Sequence, residues 1–141
     1  MPTRTADAQW EGALKDGRGT MRFGSGAYEG AYSFSSRFEE GAGTNPEELI
    51  AAAHAGCFSM QFSALLDRAG HRPTRVRTEA DVHLDKGDDG FSVTSIDLHT
   101  EGEVPGIDDA EFQRIADEAK RTCPVSRLLT GATVNVEAKL V

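Results

Sequence analysis

The chain has 141 residues, which is typical of one domain, and we expect a single domain over residues 1–141. Fifteen lysines and arginines against 23 aspartates and glutamates give a formal charge of −8, which argues against nucleic acid or an anionic membrane as a partner. No uninterrupted apolar run reaches about 18 residues, and residues 1–10 lack the apolar stretch of a secretory signal. We therefore expect a cytoplasmic protein.

The first third of the chain favours short strands separated by turns. The strands are predicted over residues 8–14, 20–23 and 31–34. Asp16-Gly17 and Gly24-Ser25-Gly26 separate them, and these residue types tolerate the backbone angles of tight turns. A small antiparallel sheet is the expected result.

A long helix follows, with clear signals at both ends. Asn45 is the expected cap, Pro46 the first helical residue, and Glu48 is placed to bond back to the cap. The helix is predicted to continue to about Arg68 and to stop at Gly70. Its apolar residues spread around almost the whole circumference, so most of its sides need cover. A second subunit can supply part of that cover.

The next segment predicts two strands joined by a loop. Residues 75–85 alternate cleanly between apolar and polar, and residues 86–90 return the chain. In the following strand we expect Phe91 and Val93 to point inward. The apolar phase then shifts by one at Ser95, which predicts a β-bulge.

The last third predicts two helices and a closing strand. An amphipathic helix opens at Asp108 and Asp109 and should end near Arg121, and residues 123–129 form a further short helix. Residues 134–140 alternate as a strand. The expected order is β-β-β-α-β-β-α-α-β, an α+β fold with helices packed on antiparallel sheets.

The two cysteines are the first candidates for chemistry, because a chain of this length in a reducing compartment does not need a disulfide for stability. Cys57 lies midway along the long helix, where its thiolate would need an outside cation, and His54 is on the same face. Cys123 precedes Pro124 and caps a predicted helix, where the dipole favours a thiolate. The alternatives are two buried apolar cysteines and a packing histidine.

Arg37 and Glu47 are the second pair of candidates. Arg37 stands between large apolar neighbours and needs an anion if it is buried, the alternative being an exposed arginine at a strand end. Glu47 could simply complement the helix dipole. It lies ten residues before Cys57, roughly 15 Å along the axis, and cannot touch it on the same helix. If both serve one site, two such helices must pack antiparallel in a dimer.

These residues occur in segments that resemble the OsmC/Ohr family, and the similarity extends over nearly the whole chain. The resemblance is to the OsmC branch, the osmotically inducible proteins, more than to the organic hydroperoxide resistance branch. The segments are Arg37-Phe38-Glu39, Gly43-Thr44-Asn45-Pro46-Glu47-Glu48-Leu49-Ile50, Ala52-Ala53-His54-Ala55, Cys57-Phe58-Ser59-Met60 and Cys123-Pro124-Val125-Ser126.

The resemblance implies an OsmC-like fold, with small antiparallel sheets packed around a long central helix in an intertwined homodimer. It also implies a thiol-dependent peroxidase with active sites at the subunit interface and no metal or organic cofactor. Cys57 matches the attacking cysteine, Cys123 the resolving one, Arg37 the activating arginine and Glu47 its carboxylate partner. The expected reaction passes through a Cys57 sulfenic acid and a Cys57–Cys123 disulfide, which a dithiol, such as a lipoyl-type one, reduces.

Apolar residues near these positions favour organic hydroperoxides over small polar ones, although hydrogen peroxide is also a possible substrate. The predicted substrate contacts are Phe38, Phe58 and Met60, for which a core position is the alternative. A rival function is zinc binding by Cys57, Cys123 and His54. A ligand-binding or structural stress protein without peroxidase activity is a further alternative.

Overall fold

Four helices and six strands occur in the computed structural model, which describes residues 1–141. The chain forms two compact units, Met1–Leu49 and Ile50–Val141, and the long helix α2 begins in the first and continues into the second. The elements are β1 (Ala6–Glu11), β2 (Arg18–Phe23), β3 (Glu29–Tyr32), α1 (Phe34–Phe38), α2 (Pro46–Arg68), β4 (Arg75–Gly87), β5 (Gly90–Glu103), α3 (Asp109–Thr122), α4 (Pro124–Leu128) and β6 (Thr133–Leu140).

The first unit contains the predicted antiparallel sheet, in the order β1-β2-β3. The first strand ends earlier than expected, because Gly12 adopts a φ of +91° that leads the chain out of the strand. None of the apolar side chains of residues 1–49 is buried, so this sheet has no core of its own. A sheet of three short strands needs packing on one face to be stable.

Helix α1 replaces the end of the predicted third strand and was not expected from the sequence. Ser33 caps it, since its hydroxyl accepts the Ser36 N–H at 3.1 Å while the Ser36 hydroxyl accepts the Ser33 N–H at 2.8 Å. This reciprocal pair satisfies two backbone donors at the helix start. The prediction that Phe34 belongs to a strand was therefore wrong.

Helix α2 has the predicted bounds. The Glu48 N–H donates to Asn45 Oδ1 at 2.8 Å, and Gly70 ends the helix with a φ of +86°. One detail differs: the Glu48 carboxylate accepts a hydrogen bond from the Thr44 hydroxyl at 3.2 Å, not from the cap backbone. The local chemistry at both ends thus defines the helix.

The sheet of the second unit is mixed rather than antiparallel as predicted. Strand β4 pairs antiparallel with β5, whereas β6 runs parallel to β5 because the crossover through α3 and α4 returns the chain in the same direction. The predicted bulge is present. His83 pairs with Ser95 and Leu84 with Val93, which leaves Thr94 as the extra residue.

The core of the second unit is formed by α2, β5 and α3. Its buried apolar residues are Phe58, Phe62, Leu66, Ile96, Leu98, Val104, Phe112, Ile115, Ala116, Ala119 and Cys123. Gly102 is required here, since a Cβ at this position would lie 2.5 Å from the Phe112 ring.

The prediction that Phe91 points inward was wrong. Its side chain is 53% exposed, and the Lys86 ammonium nitrogen lies 5.9 Å from its ring centre. Phe91 directly follows the hairpin turn, whereas the fully buried residues of β5 begin at Ile96, beyond the bulge. The core thus begins only where the strand has passed the bulge.

Candidate active site

Cys57 and Cys123 are neighbours in the second unit although 66 positions separate them. Their Sγ atoms lie 3.2 Å apart and both thiols are free. The S–S bond of a disulfide is about 2.05 Å long, so the pair is reduced. A small movement would allow the bond to form. Two cysteines that only fill space in the core would not need to lie this close together, so the distance favours a working thiol pair.

Cys123 lies at the junction of two helices. Its N–H donates to the Ala119 carbonyl at 2.9 Å and ends α3, and Pro124 follows as the first residue of α4. The predicted cap position is confirmed, and the side chain is fully buried. Helix α4 has only five residues, none of them fully buried, and its half-buried Val125 packs against the core.

Cys57 lies midway along α2 and is partly exposed. Burial raises the pKa of its thiol, a hydrogen bond from the Val125 backbone N–H lowers it, and the nearby Cys123 raises it again. The net direction is upward. The second unit by itself therefore favours the thiol over the nucleophilic thiolate, in agreement with the expectation that Cys57 needs an outside cation.

Arg37 and Glu47 form an ion pair within the first unit. Arg37 Nη2 lies 2.7 Å from Glu47 Oε1, and Arg37 Nε donates to both carboxylate oxygens at 3.2 Å. Helix α1 carries the arginine, and the first turn of α2 carries the nearly buried glutamate. Such multiply bonded pairs fix the orientation of the guanidinium, whose Nη1 makes no hydrogen bond within the chain. Arg37 is thus paired with an anion although it is exposed, and it lies in a helix and not at a strand end.

An aromatic ring supports this ion pair. The guanidinium carbon of Arg37 lies 5.2 Å from the centre of the half-buried Phe38 ring, within the range of a cation–π contact. Phe38 in turn packs on Phe34, with the ring centres 5.0 Å apart. Both rings belong to α1, so the unexpected short helix positions the arginine and its apolar surroundings together.

The other two residues predicted to contact substrate have different environments. Phe58 is fully buried and packs against Phe62, with ring centres 5.7 Å apart, so we assign it to the core instead of the substrate. Met60 is 77% exposed and lines an open cavity of about 740 Å³ together with Ser63 and Val76. Two residues apart on α2, these side chains face opposite environments.

His54 makes a contact that the sequence did not reveal. Its Nε2 lies 2.7 Å from the hydroxyl oxygen of Ser126 in α4, and its buried Nδ1 has no hydrogen-bond partner. Burial lowers the pKa of the ring, so it is neutral at pH 7. No three His, Cys, Asp or Glu side chains lie close enough to hold a metal ion, and the zinc alternative gains no support.

Ser126 belongs to a segment that carries the family resemblance, but no local pattern links it to His54, which lies 72 positions earlier. The predicted site residues thus occur as two pairs, Cys57–Cys123 and Arg37–Glu47, one in each compact unit.

The family model described as OsmC-like protein matches residues 39–139, which include Glu47, Cys57 and Cys123 but begin two residues after Arg37. Peroxiredoxin OsmC of Escherichia coli is 51% identical to this chain over 127 residues, which is 89% of each protein. An organic hydroperoxide resistance protein of Xanthomonas axonopodis is 37% identical over 93 residues, 64% of this chain and 63% of that protein. The higher identity to the first agrees with the predicted OsmC branch.

A solved structure shares the fold. The organic hydroperoxide resistance protein from Elizabethkingia anophelis superimposes with a TM-score of 0.77 at 22% identity, covering 99% of both chains. The family match over most of the chain, the 51% identity and this common fold agree with one another. The chain belongs to the OsmC-like protein family.

Proposed function

We propose that this protein is a thiol-dependent peroxidase that reduces hydroperoxides, preferentially organic ones, in defence against oxidative or osmotic stress. The observation that carries the proposal is the reduced Cys57–Cys123 pair, with 3.2 Å between the sulfur atoms. The names of two relatives, peroxiredoxin OsmC and organic hydroperoxide resistance protein, refer to peroxide chemistry. The family is one of soluble proteins, and we further propose a cytoplasmic location.

The proposed reaction has three steps. The Cys57 thiolate attacks one peroxide oxygen, the O–O bond breaks, and the protonated leaving oxygen departs as an alcohol, or as water when hydrogen peroxide is the substrate. The resulting Cys57 sulfenic acid reacts with Cys123, which forms the disulfide and releases water. An external dithiol, such as a lipoyl-type reductant, then restores both thiols by thiol–disulfide exchange.

Arg37 is the proposed activator of Cys57, with Glu47 holding it in place. The thiol needs a cation because its own unit raises its pKa, and a guanidinium fixed by a carboxylate supplies one with directed N–H groups. The same N–H groups can orient the peroxide for in-line attack. Phe38 and Met60 are the proposed apolar contacts of an organic substituent.

We also propose that the protein works as a homodimer in which antiparallel α2 helices bring Glu47 of each copy toward Cys57 of the other. Helix α2 exposes a stripe of small and apolar residues, Ala52, Ala53, Gly56 and Met60. Helix α2 is long and apolar enough to cross a membrane, and core helices of soluble proteins also meet this criterion. The sheet without buried apolar residues in the first unit likewise requires a cover.

The dimer is tested by sedimentation at micromolar concentration. We expect wild type to sediment as a dimer and Gly56→Glu to sediment as a monomer, because a Cβ at Gly56 meets nothing within the chain yet would lie in the interface. Gly131→Glu, at another exposed glycine whose added Cβ would meet nothing within 4 Å, is the matched control and should stay dimeric. A monomeric wild type contradicts the proposed assembly.

A peroxidase assay with dithiothreitol tests the activity itself, comparing cumene hydroperoxide with hydrogen peroxide. We expect Cys57→Ser to lose all turnover, because it removes the nucleophile. With dithiothreitol removed, Cys123→Ser should still consume one equivalent of peroxide and leave a sulfenic acid that dimedone traps. The opposite result would exchange the roles of the two cysteines. A wild-type protein that consumes no peroxide would instead favour the ligand-binding alternative.

A further inference from the structure

Two side-chain hydrogen bonds bracket the cysteine pair and join α2 to the segment that carries Cys123. On one side, His54 Nε2 lies 2.7 Å from Ser126 Oγ, with His54 three residues before Cys57 and Ser126 three residues after Cys123. The sulfur atoms therefore lie between this contact and a second one, four residues further along α2 than Cys57.

The second contact joins Gln61 to Thr122. Gln61 Nε2 donates to Thr122 Oγ1 at 2.8 Å, and the Thr122 hydroxyl donates to the Glu118 carbonyl at the same distance. Thr122 is exposed and Gln61 is half-buried, so water competes for each of these bonds. The His54 contact is buried on the histidine side, and an interaction shielded from water persists better.

The environment of His54 indicates that its polarity serves this contact. The side chain is fully buried among core residues, and its Nδ1 has no partner. A buried polar atom without a partner destabilises the fold, and an apolar residue would fill the same place without this cost. The bond to Ser126 is the one interaction of the ring in this chain that an apolar residue could not make.

In helix α4, Val125 packs against the core and its backbone N–H bonds Cys57, and the Ser126 hydroxyl adds a side-chain hydrogen bond to α2. The helix has five residues, none of which is fully buried, and its cap Cys123 makes no side-chain capping bond. The Cys123 sulfur must nevertheless approach Cys57 by about 1.1 Å from its present 3.2 Å before a disulfide can form. A hydrogen bond that keeps α4 beside α2 shortens this approach.

We propose that His54, acting through Ser126, is a positioning residue for disulfide formation, an inference that rests on the proposed peroxidase function. The contact keeps Cys123 within reach of the Cys57 sulfenic acid. In this step the Cys123 thiol loses its proton, an S–S bond forms, the S–O bond of Cys57 breaks, and the oxygen leaves as water with that proton. The position of Ser126 therefore controls whether the disulfide forms before a second peroxide over-oxidises Cys57.

The test is a single turnover of the reduced full chain with one equivalent of cumene hydroperoxide, in which peroxide loss and disulfide formation are followed separately. Ser126→Ala is expected to consume peroxide at a rate within about twofold of wild type and to form the disulfide about tenfold more slowly, as expected for a lost preorganised contact. Ser126→Thr restores the hydroxyl and should recover the rate. Excess peroxide should produce more sulfinic acid in Ser126→Ala.

Ser59→Ala is the matched control. It removes a hydroxyl from α2, two residues after Cys57. The Ser59 hydroxyl donates a 2.7 Å hydrogen bond to Thr78 in β4 and not to α4. Both rates should stay at the wild-type value. A slowed disulfide step in this control would show that any lost hydroxyl near Cys57 has the same effect, and would overturn the inference.

His54→Leu separates positioning from folding. This variant removes the contact together with the unpartnered Nδ1, so the melting temperature should be maintained while disulfide formation slows by the same factor as in Ser126→Ala. A wild-type rate of disulfide formation in either variant overturns the inference and leaves the peroxidase proposal intact.

A measurement without peroxide keeps the two proposals distinguishable. The Cys57–Cys123 disulfide is formed with diamide and equilibrated against dithiothreitol. A tenfold lower effective concentration of Cys123 in Ser126→Ala corresponds to a reduction potential about 30 mV less negative than that of wild type. An unchanged potential counts against positioning by Ser126, whatever the peroxidase assay gives.

Discussion

The two residue pairs of the site are held in different ways. Arg37 and Glu47 share three charge-assisted contacts and an aromatic support, so the guanidinium has one defined orientation. Cys57 and Cys123 share a thiol hydrogen bond at 3.2 Å but no covalent bond, and Cys123 precedes a helix with no buried residue. The difference follows from chemistry, since a charge acts best when preorganised, whereas sulfur atoms must move to form and break a bond.

Removing the arginine should produce the largest effect. We expect Arg37→Met to lower the second-order rate constant for peroxide about 10²- to 10³-fold and to raise the Cys57 pKa, because the charge that stabilises the thiolate is lost. Peroxide kinetics and the pH profile of Cys57 alkylation measure the two effects. Arg22→Met, which breaks the exposed ion pair with Asp7, is the control and should change neither. An unaltered alkylation profile in Arg37→Met would contradict the proposed activation.

Removing the carboxylate should have a smaller effect of the same kind. Glu47→Gln keeps an acceptor for the guanidinium but loses the charge that orients it, so we expect the peroxide rate constant to fall about tenfold. Asp7→Asn removes an exposed carboxylate that also pairs with an arginine and is the matched control. Disulfide formation with diamide should be unaffected by either variant.

The buried histidine makes stability depend on pH in a stated direction. Burial lowers the His54 pKa below its usual 6.5, so below that pH the unfolded chain binds a proton that the folded chain does not. His54 should thus lower the free energy of unfolding by up to about 1.4 kcal/mol per pH unit as the pH falls from 6.5 toward the folded-state pKa. Urea titrations of wild type and His54→Leu at several pH values measure the contribution. If the free energy of unfolding changes equally with pH in both proteins, the prediction is contradicted.

The exposed contact should have the smallest effect. Gln61→Ala breaks the bond to Thr122, for which water already competes, and we expect disulfide formation to slow by no more than about twofold. Comparison with Ser126→Ala in the same single-turnover assay ranks the two contacts around the cysteine pair. A larger effect for Gln61→Ala than for Ser126→Ala would reverse that ranking.

Some features of the fold could be predicted because they depend on neighbouring residues. The start of α2 at Asn45 and Pro46, its end at Gly70 and the bulge beside Ser95 all follow from local chemistry. Helix α1 was missed because its cap pairs two serines instead of a serine with a glutamate, the pattern usually recognised. Phe91 was misplaced because alternation defines the faces of a strand but not how far the core extends along it.

The family resemblance predicted the residues of the two pairs but not their surroundings. It did not indicate that Phe58 is a core residue, that Phe38 supports the Arg37 guanidinium, or that Ser126 contacts His54. The parallel pairing of β6 with β5 was also missed, since the alternation of a strand is the same in either direction.

The sequence by itself determined where the helices begin and end, which residue types are available for chemistry, and the family to which they belong. Tertiary structure alone decided that two thiols 66 positions apart lie 3.2 Å from each other, and that His54 contacts Ser126 in α4. The physical reason is range. Caps and turns are set by contacts within a few residues, whereas these pairs depend on how α2, α3 and α4 pack, which no local pattern encodes.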